Sequence, residues 1–334
     1  MKRKNFKHWG LFITLQLITL SLFAQGPNNT GTYYQSANGL KGKALKTAMF
    51  KIIRNHSQLS YDGLWTAFRT TDMREDGKVW DMYSCTTNFR FGTDQAGSYK
   101  KEGDVYNREH SFPKSWFGGK TPPMYTDLVH LVPTDGKVNG MRGNNPFGEN
   151  KGEKYSSNKG FSKLGKCTYP GYTGIVFEPN DLYKGDFARI YFYMATAYED
   201  KIANWNAREF APIASHNSYK PYKDWQMNML MEWAKKDPVS QKEIDRNRGI
   251  QQQQNNRNPF VDYPGLEEYI WGSMQNVAFS YDNYQGVSSI PFIEFETEPI
   301  YPKGWYNLNG QKVGDECPTQ KGIYIHHGKK MVIK

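Results

Sequence analysis

The sequence predicts an α+β protein: a mainly helical domain over residues 40–285 with an irregular centre, followed by a small all-β appendage at 305–334. Three observations predict it. Three segments repeat their apolar residues at helical spacing. The stretch Tyr106–Glu149 is instead dense in Gly, Pro and Asn, residues of turns and irregular backbone. Beyond residue 304 the pattern becomes short runs joined by turn pairs, as in strands and hairpins.

Taken in order, the first element is not part of the fold. Lys2, Arg3, Lys4 and Lys7 precede the apolar run Leu11–Phe23, and small Ala24 follows. That is the layout of a secretory signal peptide over residues 1–24, too short and wrongly flanked for a membrane span. The expected destination is outside the cytoplasm: secreted, on the cell surface or in the periplasm. No Cys follows the apolar run to carry a lipid anchor, and no second long apolar run occurs. Residues 25–39, rich in Gly, Asn and Ser, read as a flexible leader.

A first helix is expected over Ala44–Asn55, with Leu45, Met49, Ile52 and Ile53 on one side. A second should begin at Asp186 as N-cap and face Phe187, Ile190, Tyr191, Met194 and Tyr198 inward. A third spans Asp224–Lys236, carries Trp225, Met229, Leu230 and Trp233, and stops at Asp237-Pro238. These Met and aromatic stripes read as core. Gln251–Asn256 is a polar tract, expected as a loop or frayed helix end. Residues 286–304 read as a Pro-punctuated linker, and the tail should form strands turning at Asn309-Gly310 and His327-Gly328. His326-His327 there reads as a pair of exposed turn residues rather than a metal site.

Aromatic residues make up 15% of the chain, which argues against general disorder. The net charge is +10, of which +4 lies in the signal segment, leaving +6 on the remainder. That surplus suits a polyanion, but also plain solubility. Cys85, Cys167 and Cys317 would meet an oxidising compartment. A Cys85–Cys167 bridge within the main domain and three unpaired thiols remain equal readings, since spacing does not set connectivity. Without a CxxC pair or an HExxH spacing, zinc chemistry has no footing.

The chemistry concentrates in Tyr106–Glu149. It holds Glu109 directly before His110, and Asn139 further on. Phosphodiester hydrolysis needs a base for the attacking water, and a neutral imidazole suits it. It also needs positive charge for the phosphorane-like transition state, which a hard divalent cation supplies. Mg²⁺ takes oxygen ligands and only one or two protein groups, so a carboxylate and an amide are enough. Mn²⁺ and Ca²⁺ remain open. Neighbours on a strand point to opposite faces, so Glu109 and His110 cooperate only at a strand end; Pro113 is consistent with one. Thr134 or Asp135 can cap a short helix carrying Val138 and Asn139. The rival reading makes His110 a hydrogen-bonded core histidine and Asn139 a turn former.

NREHSFPKSW followed by DLVHLVPTDGKVNGMRGNNPFGE resembles the signature of the endonuclease I family of secreted nucleases. WDMYSC, GDFARIYFYMATAYED and DPVSQKEIDRN…NNRNPFVDYP resemble further family segments in family order, so the likeness covers roughly residues 40–272. It implies a ββα-metal (His-Me finger) core embedded in the mainly helical domain. It implies His110 as general base, with Glu109 and Asn139 as metal ligands. DNA or RNA would be cut with little sequence preference, leaving 5′-phosphates. The family also sets an arginine on the scissile phosphate; Arg142 is the expected one, with Arg108 and Arg257 as rival phosphate contacts. Asp127, His130 and Asn144 are expected to support the metal site or the local fold. The family pattern has His where this chain has Val129, a loss that could weaken metal affinity. Trp116 and Phe117 read as packing beneath the motif, with base stacking as the alternative.

The expected partner is a nucleic acid met by a monomer. The competing function is a non-catalytic extracellular DNA or glycan binder on the same scaffold, which should have lost at least one of Glu109, His110 and Asn139. The tail, through YNLNGQKV and KGIYIHHGKKMVIK, resembles C-terminal sorting-type modules of secreted bacterial proteins and implies contact with secretion machinery.

Overall fold

The computed structural model of the chain describes residues 26–95, 98–286, 304–307, 311–314, 316, 318–326 and 329–333. It falls into two compact units, divided between residues 287 and 288. The signal segment and nearly all of the expected linker lie outside the described residues.

In the first unit, helix α1 (Gly42–Ile53) buries Leu45, Met49 and Ile53 completely, each such side chain contributing about 1.5–3 kcal/mol. Helix α2 (Leu64–Thr71) buries Leu64 and Phe68. Strands β1 (Tyr106–His110) and β2 (Leu131–Asp135) pair antiparallel, Glu109 opposite Val132, and helix α3 (Gly136–Arg142) follows β2 without a gap. Strands β3 (Tyr155–Ser156), β4 (Lys163–Lys166) and β5 (Ile175–Glu178) form a second antiparallel sheet. Helix α4 (Lys184–Ala197) buries every residue from Gly185 to Ala197 and packs on α1 and α5 (Asp224–Lys236). Helices α6 (Gln241–Gln254), α7 (Pro259–Asp262) and α8 (Leu266–Ile270) complete the unit.

Two expectations change, and two open readings resolve to one of their alternatives. Residues 25–39 were expected to be loose, yet from Gly26 on they form two short 3-10 turns and pack inward. Tyr34 is fully buried and donates 2.7 Å to Asp262 Oδ2, so one aromatic anchor overrides a flexible composition. Asp186 is not the N-cap of α4. The helix begins at Lys184, and Asp186 lies buried in its first turn beside Lys242 Nζ at 3.0 Å. The polar tract is the end of α6, a helix capped by a Ser240/Glu243 capping box. Its inward face is polar, not apolar: Arg246, Asn247 and Gln254 are buried, so a hydrophobic-period reading passes over it. Arg246 donates to the carbonyls of Leu128, Val129 and Leu131 and to Asp72, tying α6 to the start of β2. Cys85 and Cys167, finally, are both unpaired thiols, one exposed and one buried. Their nearest acceptors are the carbonyls of Asn158 and Tyr169, so the bridge does not form; Cys317 lies outside the described residues.

The second unit is all-β as expected. Strands β6 (Trp305–Tyr306), β7 (Lys312–Gly314), β8 (Gly322–His326) and β9 (Lys329–Ile333) pair antiparallel in the order β7-β6-β8-β9. His326 stacks on Trp305 at 4.3 Å, which assigns it to packing. The two expected turn pairs lie outside the described residues. No helix among the described residues is long and apolar enough to cross a membrane.

Candidate active site

β1, β2 and α3 bring the expected residues together by their local chemistry. β1 ends at His110, just ahead of Pro113, so its last two side chains leave a strand that is already finishing. Asp135, not Thr134, caps α3: its carboxylate accepts from the Val138 N–H at 2.9 Å and from Gly103 N–H at 2.7 Å. A Cβ on Gly136 would meet the Tyr99 ring at 2.8 Å, so the glycine lets the helix start against that ring. The third position of the helix body past that start, Asn139, then points back to β1.

Two clusters result. In the first, Glu109 is buried, and its Oε1 accepts from Arg142 Nη1 at 2.6 Å and from the Tyr83 hydroxyl at 3.0 Å. Asn139 Nδ2 donates to Asn107 Oδ1 at 2.6 Å, and its amide also bears on the Glu109 carboxylate. Burial pushes the Glu109 carboxyl above its ordinary range, while Arg142, Tyr83 and Asn139 pull it back. Glu109 Oε2 and Asn139 Oδ1 are the oxygens of the pair with no described hydrogen bond. This donor set fits a hard ion that keeps most of its waters. Among the described residues no group of three His, Cys, Asp or Glu side chains is poised for a metal, as a zinc site would need.

In the second cluster, His110 Nε2 lies 3.0 Å from the Tyr125 carbonyl. A carbonyl can only accept, so Nε2 carries the proton and Nδ1 bears the lone pair. Burial, then neighbouring His130, push the imidazole down to about 3, so it is neutral at neutral pH. His130 is itself fully buried, with Nε2 2.7 Å from the Met124 carbonyl. One short turn, Met124–Thr126, thus holds both histidines through consecutive carbonyls. Asp127 anchors the end of that turn. Its buried carboxylate accepts from Tyr193, Tyr198, Gln254 and the Val129 N–H, with His56 Nε2 at 3.4 Å. The two clusters join through the backbone, since Arg142 also grips the carbonyls of His110 and Ser111 at 3.0 and 2.8 Å.

The arginines fall differently from expectation. Arg142 is fully buried and holds Glu109 rather than facing a phosphate. Burial lowers its affinity for a proton, but Tyr83 and Glu109 more than offset that and keep it charged. Arg257 is buried too, with Nε and Nη2 on Asp262 and Nη1 on Gln251. Only Arg108 of the three stays partly open, with 12% of its side chain exposed. Asn144 is exposed beyond α3, and no hydrogen bond of its side chain is among those described. Val129 sits in the core at 1% exposure, so an apolar side chain fills the place of the missing His. Trp116 and Phe117 are buried against Phe112, Phe210 and Trp205, which settles them as packing.

Sequence reading missed Tyr83, Asn107 and Tyr125. Asn107 was within reach of a period-two argument, because residues 107 and 109 share a face of β1. Tyr83 comes from a distant loop, and Tyr125 acts on His110 through a backbone carbonyl, which leaves no trace in side-chain identity.

Residues 41–265 match the family model described as Endonuclease I. The chain is 38% identical over 248 residues to an extracellular ribonuclease of Bacillus amyloliquefaciens, covering 73% of this chain and 79% of that one. It is 37% identical over 265 residues to an extracellular ribonuclease of Bacillus subtilis (strain 168), covering 77% and 84%. A third relative, endonuclease-1 of Buchnera aphidicola subsp. Baizongia pistaciae (strain Bp), is 31% identical over 137 residues, 41% of this chain and 46% of that one.

Proposed function

Because this chain belongs to the endonuclease I family, we propose that it is a secreted, metal-dependent endonuclease that hydrolyses phosphodiester bonds in DNA, RNA or both with little sequence preference, leaving 5′-phosphates. The observation that carries the reading is the His110 tautomer. Its protonated nitrogen is tied to Tyr125, leaving a neutral imidazole with a lone pair on Nδ1 one residue from Glu109.

His110 takes the proton of an attacking water at Nδ1, and the Tyr125 carbonyl disperses the positive charge that the ring gains. Attack by water rather than a ribose hydroxyl is what makes DNA and RNA equivalent and places the phosphate on the 5′ side of the cut. Glu109 and Asn139 would hold a divalent cation, Mg²⁺ by the hardness of the donors with Mn²⁺ and Ca²⁺ as alternatives, which supplies charge neutralisation at the leaving oxygen. Arg142 orients Glu109 and, by occupying one carboxylate oxygen, leaves the other for the cation. His130 and Asp127 fix the turn whose carbonyls align the base. The extracellular names of the two Bacillus relatives and the basic N-terminal run support secretion. Retention of Glu109, His110 and Asn139 together favours catalysis over a non-catalytic binder.

The test is cleavage of plasmid DNA and total RNA by the purified chain with Mg²⁺, with and without EDTA. Both substrates should be cut, EDTA should abolish cutting, and His110→Ala should lower the rate about 10²–10⁴-fold. Full activity of His110→Ala, or cutting that persists in EDTA, contradicts the assignment.

A further inference from the structure

Outside the catalytic residues, an ordered row of rings and cations lies against His110. Arg108 shares the His110 face of β1, two residues away. Its guanidinium carbon lies 3.5 Å from the centre of the Tyr61 ring and 4.3 Å from that of Trp65. Tyr61 stacks on Tyr125 at 4.6 Å and 21°. Tyr125 stacks on His110 at 5.3 Å and 18°. Lys114 Nζ stands 5.9 Å over the other end, at the Tyr125 ring. The order Trp65, Arg108, Tyr61, Tyr125, Lys114 thus sets three rings and two positive charges in one row along the edge of the site.

This row lies at the rim of the core, where Tyr61 and Trp65 pack against it. Tyr61, Trp65 and Tyr125 are only partly buried and Lys114 is exposed. Arg108 donates through Nη1 to the Tyr61 carbonyl and to Asp62 Oδ1, while Nε and Nη2 bond nothing described and are not sealed from solvent. The Asp62 carboxylate is 93% exposed, so it is a weak rival to an incoming anion.

We propose that this row is the strand-holding surface of the enzyme, an inference that rests on the nuclease reading: Arg108, backed by the Tyr61 ring, takes a substrate phosphate beside the one attacked, and the partly exposed Tyr125 ring takes an unstacked base. Every nucleobase offers a π face and every nucleotide a phosphate, so the surface holds a single-stranded stretch without reading sequence. The rings hold the planar guanidinium in place, so little freedom is lost when a phosphate arrives. Tyr125 carries two roles at once, since its carbonyl holds the base nitrogen while its ring meets the strand.

The test measures binding of a fluorescent single-stranded oligonucleotide in EDTA, by anisotropy across a salt series, on a His110→Ala parent. Arg108→Met should weaken binding about tenfold and flatten the salt slope by about 0.7, the share of one phosphate contact on a single strand. Arg108→Lys should keep that slope, which separates lost charge from lost folding. Tyr125→Leu should weaken binding with the slope unchanged. Unaltered affinity and slope in Arg108→Met, or an unaltered affinity in Tyr125→Leu, overturns the inference while the wild type still cuts. A wild type that neither binds nor cuts oligonucleotides overturns the nuclease reading and this inference together.

Discussion

At the scale of single residues, the site depends on a buried charge pair whose partners have separate tasks. Arg142 and Glu109 meet at 2.6 Å with almost no solvent, so removing one strands the other. Arg142→Met should therefore cost about 3–5 kcal/mol in urea denaturation as well as activity, whereas an arginine serving only as a phosphate contact would leave stability intact. The histidines set the acid limit. Burial holds both His110, at about 3, and His130 below their ordinary range, while an unfolded chain restores a value near 6.5. On acidification the unfolded state therefore binds protons first. The stability that these neutral rings contribute is complete above about pH 6.5 and is lost as pH falls toward 3. Melting temperatures of the metal-free protein should fall from pH 6.5 to 4, and a flat profile over that range contradicts the burial argument. Glu109, His110 and Asn139 could be picked as candidates from the sequence because the chemistry expected of them lies in their side chains. The part of Arg142 was not, because three residues of helical spacing place a side chain on a face without saying whether that face is buried.

At the scale of elements, legibility followed the hydrophobic pattern. α1 and α5 carry clean apolar stripes, and their expected bounds agree with the structure to within two residues. α6 was hidden because its buried face is largely polar: Arg246 and Asn247 donate to backbone carbonyls elsewhere in the chain, and Gln254 to the Asp127 carboxylate. The start of α4 was displaced for a related reason: Asp186 looks like a cap but is held inside by Lys242. That junction is tight. Gly185 donates 2.7 Å to Asp237 Oδ2, and the Asp237 carbonyl occupies the space that a Cβ would need. Gly185→Ala should cost about 1–3 kcal/mol from this overpacking, read as a lowered urea midpoint at unchanged slope; unchanged stability would mean that the α4–α5 junction has more give than the geometry allows.

At the scale of the whole molecule, the family likeness, the ββα order of β1, β2 and α3, and the second all-β unit were all present in the sequence before the structure placed them. The contacts between distant segments were not, because Tyr34 with Asp262 and Arg246 with β2 are agreements between residues far apart in the chain. The proposed site adds one more such agreement, Glu109 and Asn139 sharing a cation beside the His110 imidazole. Isothermal titration of Mg²⁺ into the full chain, against Asn139→Ala and Glu109→Gln, tests that sharing most directly. One ion should bind per wild-type chain, and each variant should lose about tenfold or more in affinity; equal stoichiometry and affinity in all three proteins would contradict a cation shared by Glu109 and Asn139.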